Sequence, residues 1–226
     1  MTAIAIFVKT PGLSPVKSRL ASGVGRQSAE ECHRRCARAV AAVAHAAGIG
    51  PVYWAVAETA GMDHPLWQDL PRILQPEGNL GQRMQTVHDT LLQRHGRAVL
   101  LGADLPQLTA APLQHSHAWL EEAPDRGVLG PSRDGGFWLV GGNRPLDPRT
   151  WQAPQYGHGP VLKQFVAASG PGIHWKMLAE QTDLDEATDL STVARELAGL
   201  DRPHSAQRSL LHWLASISGS KPDSPP

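Results

Sequence analysis

Short runs rich in Ile, Val and Leu return along the chain at intervals long enough for a helix, and this rhythm constrains the fold more than any other feature. The runs fall at Ala3–Val8, 52–57, 72–75, 98–103, 127–130, Phe137–Gly142 and 173–178. A run that is apolar on both sides has to be covered on both sides, the mark of a parallel strand buried between helices. Helical segments are read at 28–47, 80–93, 109–121, 160–168, 186–198 and 205–216, with Ser28 and Thr109 as N-cap residues. The alternation predicts an α/β chain, a three-layer α/β/α arrangement around a mostly parallel mixed sheet of Rossmann-like kind. At 226 residues, one core is expected, a single domain over 1–218. The segment 219–226 has too little apolar content to offset the entropy of ordering it and is expected to be disordered.

Composition narrows the partners. Lys and Arg number 21, and so do Asp and Glu, so no overall field draws the chain to nucleic acid or to an anionic membrane. Residues 1–8 are too few and wrongly flanked for a signal peptide, and no run approaches the roughly 20 apolar residues of a membrane span. Cys32 and Cys36 lie four apart on one helical face, without a second pair at zinc-ligand spacing, and are read as small buried thiols. A cytoplasmic chain acting on small molecules is expected, with no nucleic-acid partner and no membrane.

In open α/β sheets ligands bind beyond the carboxyl ends of the strands, so the residues just past each run matter most. Past the first stand Lys9-Thr10-Pro11-Gly12, then Lys17-Ser18-Arg19, three cations around a Gly/Pro loop. Such a loop suits a polyphosphate held by backbone N–H groups and neutralised by Lys and Arg, and equally suits a solvated basic surface. Past 98–103 stands Asp104-Leu105-Pro106, a carboxylate at a strand end that suits Mg²⁺. Past the last run stands Asp183-Leu184-Asp185-Glu186, from which Asp185, with Asp183 in reserve, can share that metal. Acids at this place also complement a helix dipole. The segment Arg133-Asp134-Gly135-Gly136 brings backbone close to a ligand or simply turns a hairpin. Gly78-Asn79-Leu80-Gly81-Gln82-Arg83 opens a helix, a position suited to phosphate or base edges.

Taken in order, VKSRLA at 16–21, GNLGQRM at 78–84, LLGADLPQLT at 100–109, GPSRDGGFWLVG at 130–141 and TDLDEATDL at 182–190 resemble the bacterial glycosyltransferase-like family of the nucleotide-diphospho-sugar transferase (glycosyltransferase-A fold) superfamily. The resemblance covers about residues 3–198. The guanylyltransferases that act on phospholactate, phosphoenolpyruvate or molybdopterin are relatives there. It implies that Lys17 and Arg19 meet a triphosphate, with Lys9, Pro11, Gly12, Gly78, Asn79, Gly81 and Arg83 around the nucleotide. It also implies that Asp104 and the region of Asp185 and Asp183 hold Mg²⁺ or Mn²⁺. Asp134, Gly135, Gly136 and His158 fall on the acceptor side. Two departures stand out: Asn79 where that family tends to have Asp, and Tyr156-Gly157-His158-Gly159 where a Trp followed by Ser or Thr is common.

Three functions are compatible with these residues. The first is nucleotidyl transfer from a nucleoside triphosphate to a small phosphorylated or hydroxyl acceptor. The second is glycosyl transfer from a nucleotide-sugar. The third is nucleotide binding without catalysis. The oligomeric state is left open.

Overall fold

The structure, a computed structural model, describes residues 1–157 and 159–218; the expectations for His158 and for the 219–226 tail fall outside the described residues. Seven strands, β1 (Ala3–Val8), β2 (Val52–Val56), β3 (Arg72–Leu74), β4 (Ala98–Gly102), β5 (Arg126–Pro131), β6 (Phe137–Gly142) and β7 (His174–Met177), form one sheet in the order β3-β2-β1-β4-β6-β5-β7. Every run read as a strand is one. Pairing is parallel throughout except at β6, which runs against both β4 and β5. The carboxyl ends of the other six strands therefore share one edge with the amino end of β6.

Period-two alternation divides β1 between the layers. Ile4, Ile6 and Val8 face one core with Val40, Val43 and Leu113, from α2 (Arg26–Ala46) and α4 (Ala110–Glu122). Ala3 and Ala5 face the other, with Met84, Val87 and Leu91 of α3 (Leu80–His95), Trp151 of α5 (Pro148–Gln152) and Phe165 of α6 (Val161–Ser169). This is the expected three-layer α/β/α arrangement around a mostly parallel mixed sheet. A third cluster joins Leu20 of α1 (Ser18–Val24) to Cys32 and Cys36 of α2, Val193 and Leu197 of α7 (Asp189–Ala198), and Leu210 and Leu214 of α8 (Ser205–Ser218). Cys32 and Cys36 are free, buried thiols whose sulfurs are 3.9 Å apart.

The caps correct the sequence reading. Ser28 does not cap α2; the helix starts at Arg26 with Gly25 before it, and Gly25 also ends α1, a helix the apolar pattern does not announce. With only Leu20 buried, α1 carries too little periodicity to be seen. Thr109 does stand at the N-cap of α4, but its side chain makes no capping bond. Asn79 makes a full capping box: its Oδ1 accepts from the Gln82 N–H at 3.0 Å, and Gln82 Oε1 accepts from the Asn79 N–H at 2.9 Å. Asn and Asp cap equally well, so the departure at Asn79 leaves this helix start intact. Among the described residues, no helix is long and apolar enough to cross a membrane.

Candidate functional site

The loop after β1 is anchored before it turns. Thr10 is fully buried; its N–H donates to the Glu58 carboxylate, and its hydroxyl accepts from Trp67 Nε1 at 3.0 Å. Pro11 and Gly12 then make a tight turn closed by the Leu13 N–H on the Thr10 carbonyl at 3.0 Å, with Gly12 at φ 88°, where a residue with a Cβ is strained. His33 Nε2 donates to the Lys9 carbonyl at 2.9 Å. Burial holds its imidazole below the ordinary value, so the neutral ring fits this role.

Lys17 sits at φ 49°, ψ 44°, left-handed for a residue with a side chain, as the N-cap of α1. That conformation costs on the order of 1–2 kcal/mol and is held by what the side chain reaches. Its Nζ lies 2.7 Å from Asp104 Oδ1, a contact of charge, and donates to the Leu184 carbonyl. The lysine side chain is 2% exposed and that of Asp104 is 39% exposed. Oδ1 is the enclosed oxygen, so the open part of Asp104 is its other side. Burial pulls the Lys17 ammonium down, but the Asp104 carboxylate outweighs it, and the net shift is upward. Burial likewise pushes Asp104 up, and the Lys17 ammonium, by its charge and its hydrogen bond, brings it below the usual carboxylate range. Both partners are charged.

The strap after β7 runs along this pair. The Leu184 N–H donates to the Asp104 carbonyl at 2.9 Å, and Gln107 Nε2 donates to the Thr182 carbonyl at 2.7 Å. The four acids of the strap divide by role. Asp189 accepts from the N–H groups of Asp185 and Glu186 at 2.9 and 2.7 Å and serves the turn into α7. Asp185 and Glu186 face Arg19, at 3.1 and 3.5 Å from its Nη1. Burial first, with Asp104 and Asp189 adding, raises the Asp185 carboxyl despite Lys17 and Arg19. Asp183 is pushed up to about 7, by burial first and then by Asp104 and Asp134, with Ser132 and Lys17 pulling the other way. Among the described residues it has no ion-pair partner, and no group of three or more His, Cys, Asp or Glu side chains stands close enough to hold a metal.

Beside these acids opens a cleft of about 340 Å³. Of the residues the sequence singles out, Arg19, Asp134, Gly136 and Asp183 line it; Lys9, Pro11, Gly12, Lys17, Asp104, Asp185, Gly135 and Arg133 do not. The 132–136 segment is a hairpin turn, closed by the Ser132 N–H on the Gly136 carbonyl at 3.1 Å, with Asp134 Oδ1 accepting from the Gly136 N–H at 2.9 Å. It is also tied to α6, through the Leu162 N–H on the Gly135 carbonyl at 3.0 Å. At the start of α3, Gly78, Asn79, Gly81 and Arg83 all carry local duties. Arg83 Nε donates to the Gly78 carbonyl at 2.8 Å, and a Cβ on Gly81 would fall 2.0 Å from the Trp151 carbonyl oxygen. Gly81 is thus required by the approach of α3 to α5.

Several parts of the site are silent in the sequence. The Leu184 carbonyl that receives Lys17 has no sequence signature. Tyr156 stands out there only as a departure, yet it lines the cleft and donates its hydroxyl to the Trp151 carbonyl at 2.9 Å. Leu80 and Met84 line it too, and their spacing of four at a helix start is the signal that could have found them.

Among solved structures, a Desulfovibrio desulfuricans G20 protein described provisionally as a nucleotide-diphospho-sugar transferase matches at TM-score 0.84 and 22% identity, over 96% of each chain. CMP:2-keto-3-deoxy-manno-octonic acid synthetase, solved with CTP, matches at TM-score 0.54 and 12% identity, over 87% of this chain and 98% of that one. A Bacillus anthracis protein described provisionally as a glucose-1-phosphate thymidylyltransferase, solved with a sucrose, matches at TM-score 0.50 and 8% identity, over 92% of this chain and 99% of that one. At such identities the likeness is one of fold, and the fold is that of the nucleotide-diphospho-sugar transferases. No curated protein matches the sequence. A family profile described as "Uncharacterized protein conserved in bacteria (DUF2064)" spans residues 32–158, from the Cys32 turn of α2 through Asp104 and the 132–136 hairpin to the Tyr156 wall of the cleft, and on that match the chain belongs to the DUF2064 family.

Proposed function

We propose that this chain is a metal-assisted transferase that moves a nucleotidyl group from a nucleoside triphosphate to a small acceptor. The observation that carries the reading is the pair Asp104 and Asp183. They are carboxylates on two hydrogen-bonded segments at the strand ends, and among the described residues only Asp104 has a cation against it. A half-buried carboxylate without a cation is costly. A hard divalent cation answers that cost, because Mg²⁺ takes one or two carboxylates together with phosphate oxygens and water. The donors present fit Mg²⁺ or Mn²⁺: Asp104 and Asp183 would hold it, while Arg19 draws Asp185 aside. When bound, the ion supplies charge neutralisation to a polyphosphate.

The chain's own residues do the rest. Lys17 fixes Asp104 through its enclosed oxygen and leaves the other side open. Arg19, 61% exposed, is free to swing from Asp185 and Glu186 toward an incoming phosphate, since exposed ion pairs are worth only about 0–1 kcal/mol. The anchored turn offers the Gly12 N–H beside Lys9, since Pro11 has none and the Leu13 and Ser14 N–H groups are both on the Thr10 carbonyl. Positioning and charge carry most of phosphoryl-group catalysis, so a dedicated general base is not required. The CTP named with one structural neighbour supports the nucleotidyl reading. The name carried by the Desulfovibrio protein supports glycosyl transfer on the same site as a second reading.

Thermal melts with Mg²⁺ and a panel of nucleoside triphosphates, diphosphates and nucleotide-sugars test both. A ligand at 100 times its Kd adds about 2.7 kcal/mol. A shift with a triphosphate, followed by pyrophosphate release, selects nucleotidyl transfer; a shift with a nucleotide-sugar and release of a nucleoside diphosphate selects glycosyl transfer. No shift with any nucleotide sinks both.

A further inference from the structure

The cleft beside Asp183 differs in chemistry from the basic loop. Its walls are Phe7, Leu80, Met84, Phe137, Tyr156 and Val161, apolar or aromatic side chains from β1, α3, β6, the segment before α6 and the start of α6 itself. Its charged lining is Arg19, Asp134 and Asp183, one cation against two acids, and the Arg19 guanidinium already faces Asp185 and Glu186. In the transferase reading Arg19 goes to the phosphates of the donor, which leaves the lining no cation for a phosphate on the acceptor. Ser132 lines the cleft as well; it is 4% exposed, and its enclosed hydroxyl turns to the Asp183 carboxyl. At about 340 Å³ the cleft is at the small end of the ~300–1,000 Å³ common for small-molecule sites.

We propose that this cleft receives the acceptor, and that the acceptor is a compact apolar alcohol without a phosphate, its ring or branched body against Phe137, Tyr156 and Met84 and its hydroxyl toward Ser132 and the acids. The assignment deepens the transferase reading and rests on it. Of the two acceptor classes, phosphorylated and hydroxyl, the lining selects the second: a phosphate would enter beside two acids, whereas a hydroxyl can donate to Asp134 or Asp183 and accept from Ser132. In the transfer the alcohol oxygen bonds to the α-phosphorus and the bond from that phosphorus to the bridging oxygen breaks. Pyrophosphate leaves with that electron pair, and the hydroxyl proton passes to water. The nucleotide would then lie toward Lys9, Pro11 and Gly12, which do not line the cleft.

Saturation-transfer NMR on the full chain, with benzyl alcohol and benzyl phosphate as probes, tests this. Benzyl alcohol is expected to bind in preference to benzyl phosphate. Leu80→Glu places a charge on the wall at a residue already 45% exposed, so folding is spared; it should weaken benzyl alcohol by about tenfold, as loss of one apolar contact does. Phe137→Ala serves as the second variant and should weaken it similarly. The melting shift given by triphosphate and Mg²⁺ should survive in both. Equal or better binding of benzyl phosphate overturns the proposal, as does the absence of benzyl alcohol binding. Loss of the nucleotide shift in parallel with benzyl alcohol also overturns it, because the cleft is then the nucleotide's. If wild-type chain binds benzyl alcohol through these walls but shifts with no nucleotide, the transferase reading fails while the ligand chemistry of the cleft stands.

Discussion

The Leu184 N–H donates to the Asp104 carbonyl, and Leu184 in turn accepts the Lys17 ammonium on its own carbonyl. One strap residue thereby clamps a carboxylate and a lysine that arrive from distant parts of the chain. The two acids flanking it, Asp183 and Asp185, are carried to the strand ends by that clamp rather than by a strand or helix of their own.

Removing one side of the Lys17–Asp104 pair should expose this dependence. Lys17→Met is expected to cost about 1–3 kcal/mol, below the 3–5 kcal/mol of a fully enclosed pair because Asp104 is partly open to water. The double variant Lys17→Met with Asp104→Asn should recover most of that stability in urea unfolding and yet show no transferase activity. Stability that stays low in the double variant would mean the cost came from packing around Lys17.

Asp183 should trade stability against activity. Its carboxyl is raised from 3.8 to about 7 in the folded chain. A raised acid contributes stability that is fully present below the unfolded value and is lost as pH rises through the folded one. Wild type should therefore lose stability between about pH 4 and pH 7 relative to Asp183→Asn, which does not titrate. Paired melts at about pH 5 and about pH 8, on either side of the folded value, are expected to show the variant gaining on wild type at the higher pH while its transfer activity is abolished; an equal difference at both would refute the assignment.

At Gly81 a helix-favouring substitution should do harm. Ala in place of Gly in a helix interior ordinarily gains about 1 kcal/mol. Here the new Cβ would fall 2.0 Å from the Trp151 carbonyl oxygen, so Gly81→Ala should lower the melting temperature. A neutral or stabilising result would show that α5 can retreat at no cost.

Asn79 gives the opposite expectation. Asn79→Asp keeps the acceptor for the Gln82 N–H and should be close to neutral, whereas Asn79→Ala should cost about 1 kcal/mol by urea unfolding. Similar losses in both variants would point to a role for the amide itself, beyond the cap.

The strands are legible in the sequence because each is apolar on both faces, and Asp104 is legible because it stands directly past one. The order of the strands is not, since no local pattern says that β6 is reversed. The acidic run near 183–189 announces a site but not its division of labour. Asp189 is a turn acceptor, Glu186 and Asp185 are partners of Arg19, and Asp183, the reserve choice, is the acid without a cation. Those roles depend on the strap's path, which backbone bonds to Asp104 and Gln107 decide. Helix α5 escapes a periodicity reading although Asp147 and Pro148 spell its start, because five residues leave no room for a repeat. The charge of Lys17 suggests a phosphate ligand, and nothing in its neighbours foretells a left-handed backbone that turns the ammonium inward.

The reversal of β6 separates two demands that a wholly parallel sheet would tie together. A parallel neighbour to β5 would need a crossover of about a dozen residues or more, whereas the hairpin at 132–136 turns back at once. A hairpin loop can lengthen or change its side chains without disturbing the strands it joins. On the proposed reading, Ser132 and Asp134 could therefore change while the β1 and β4 ends stay as they are, so that a new acceptor would cost the donor side nothing.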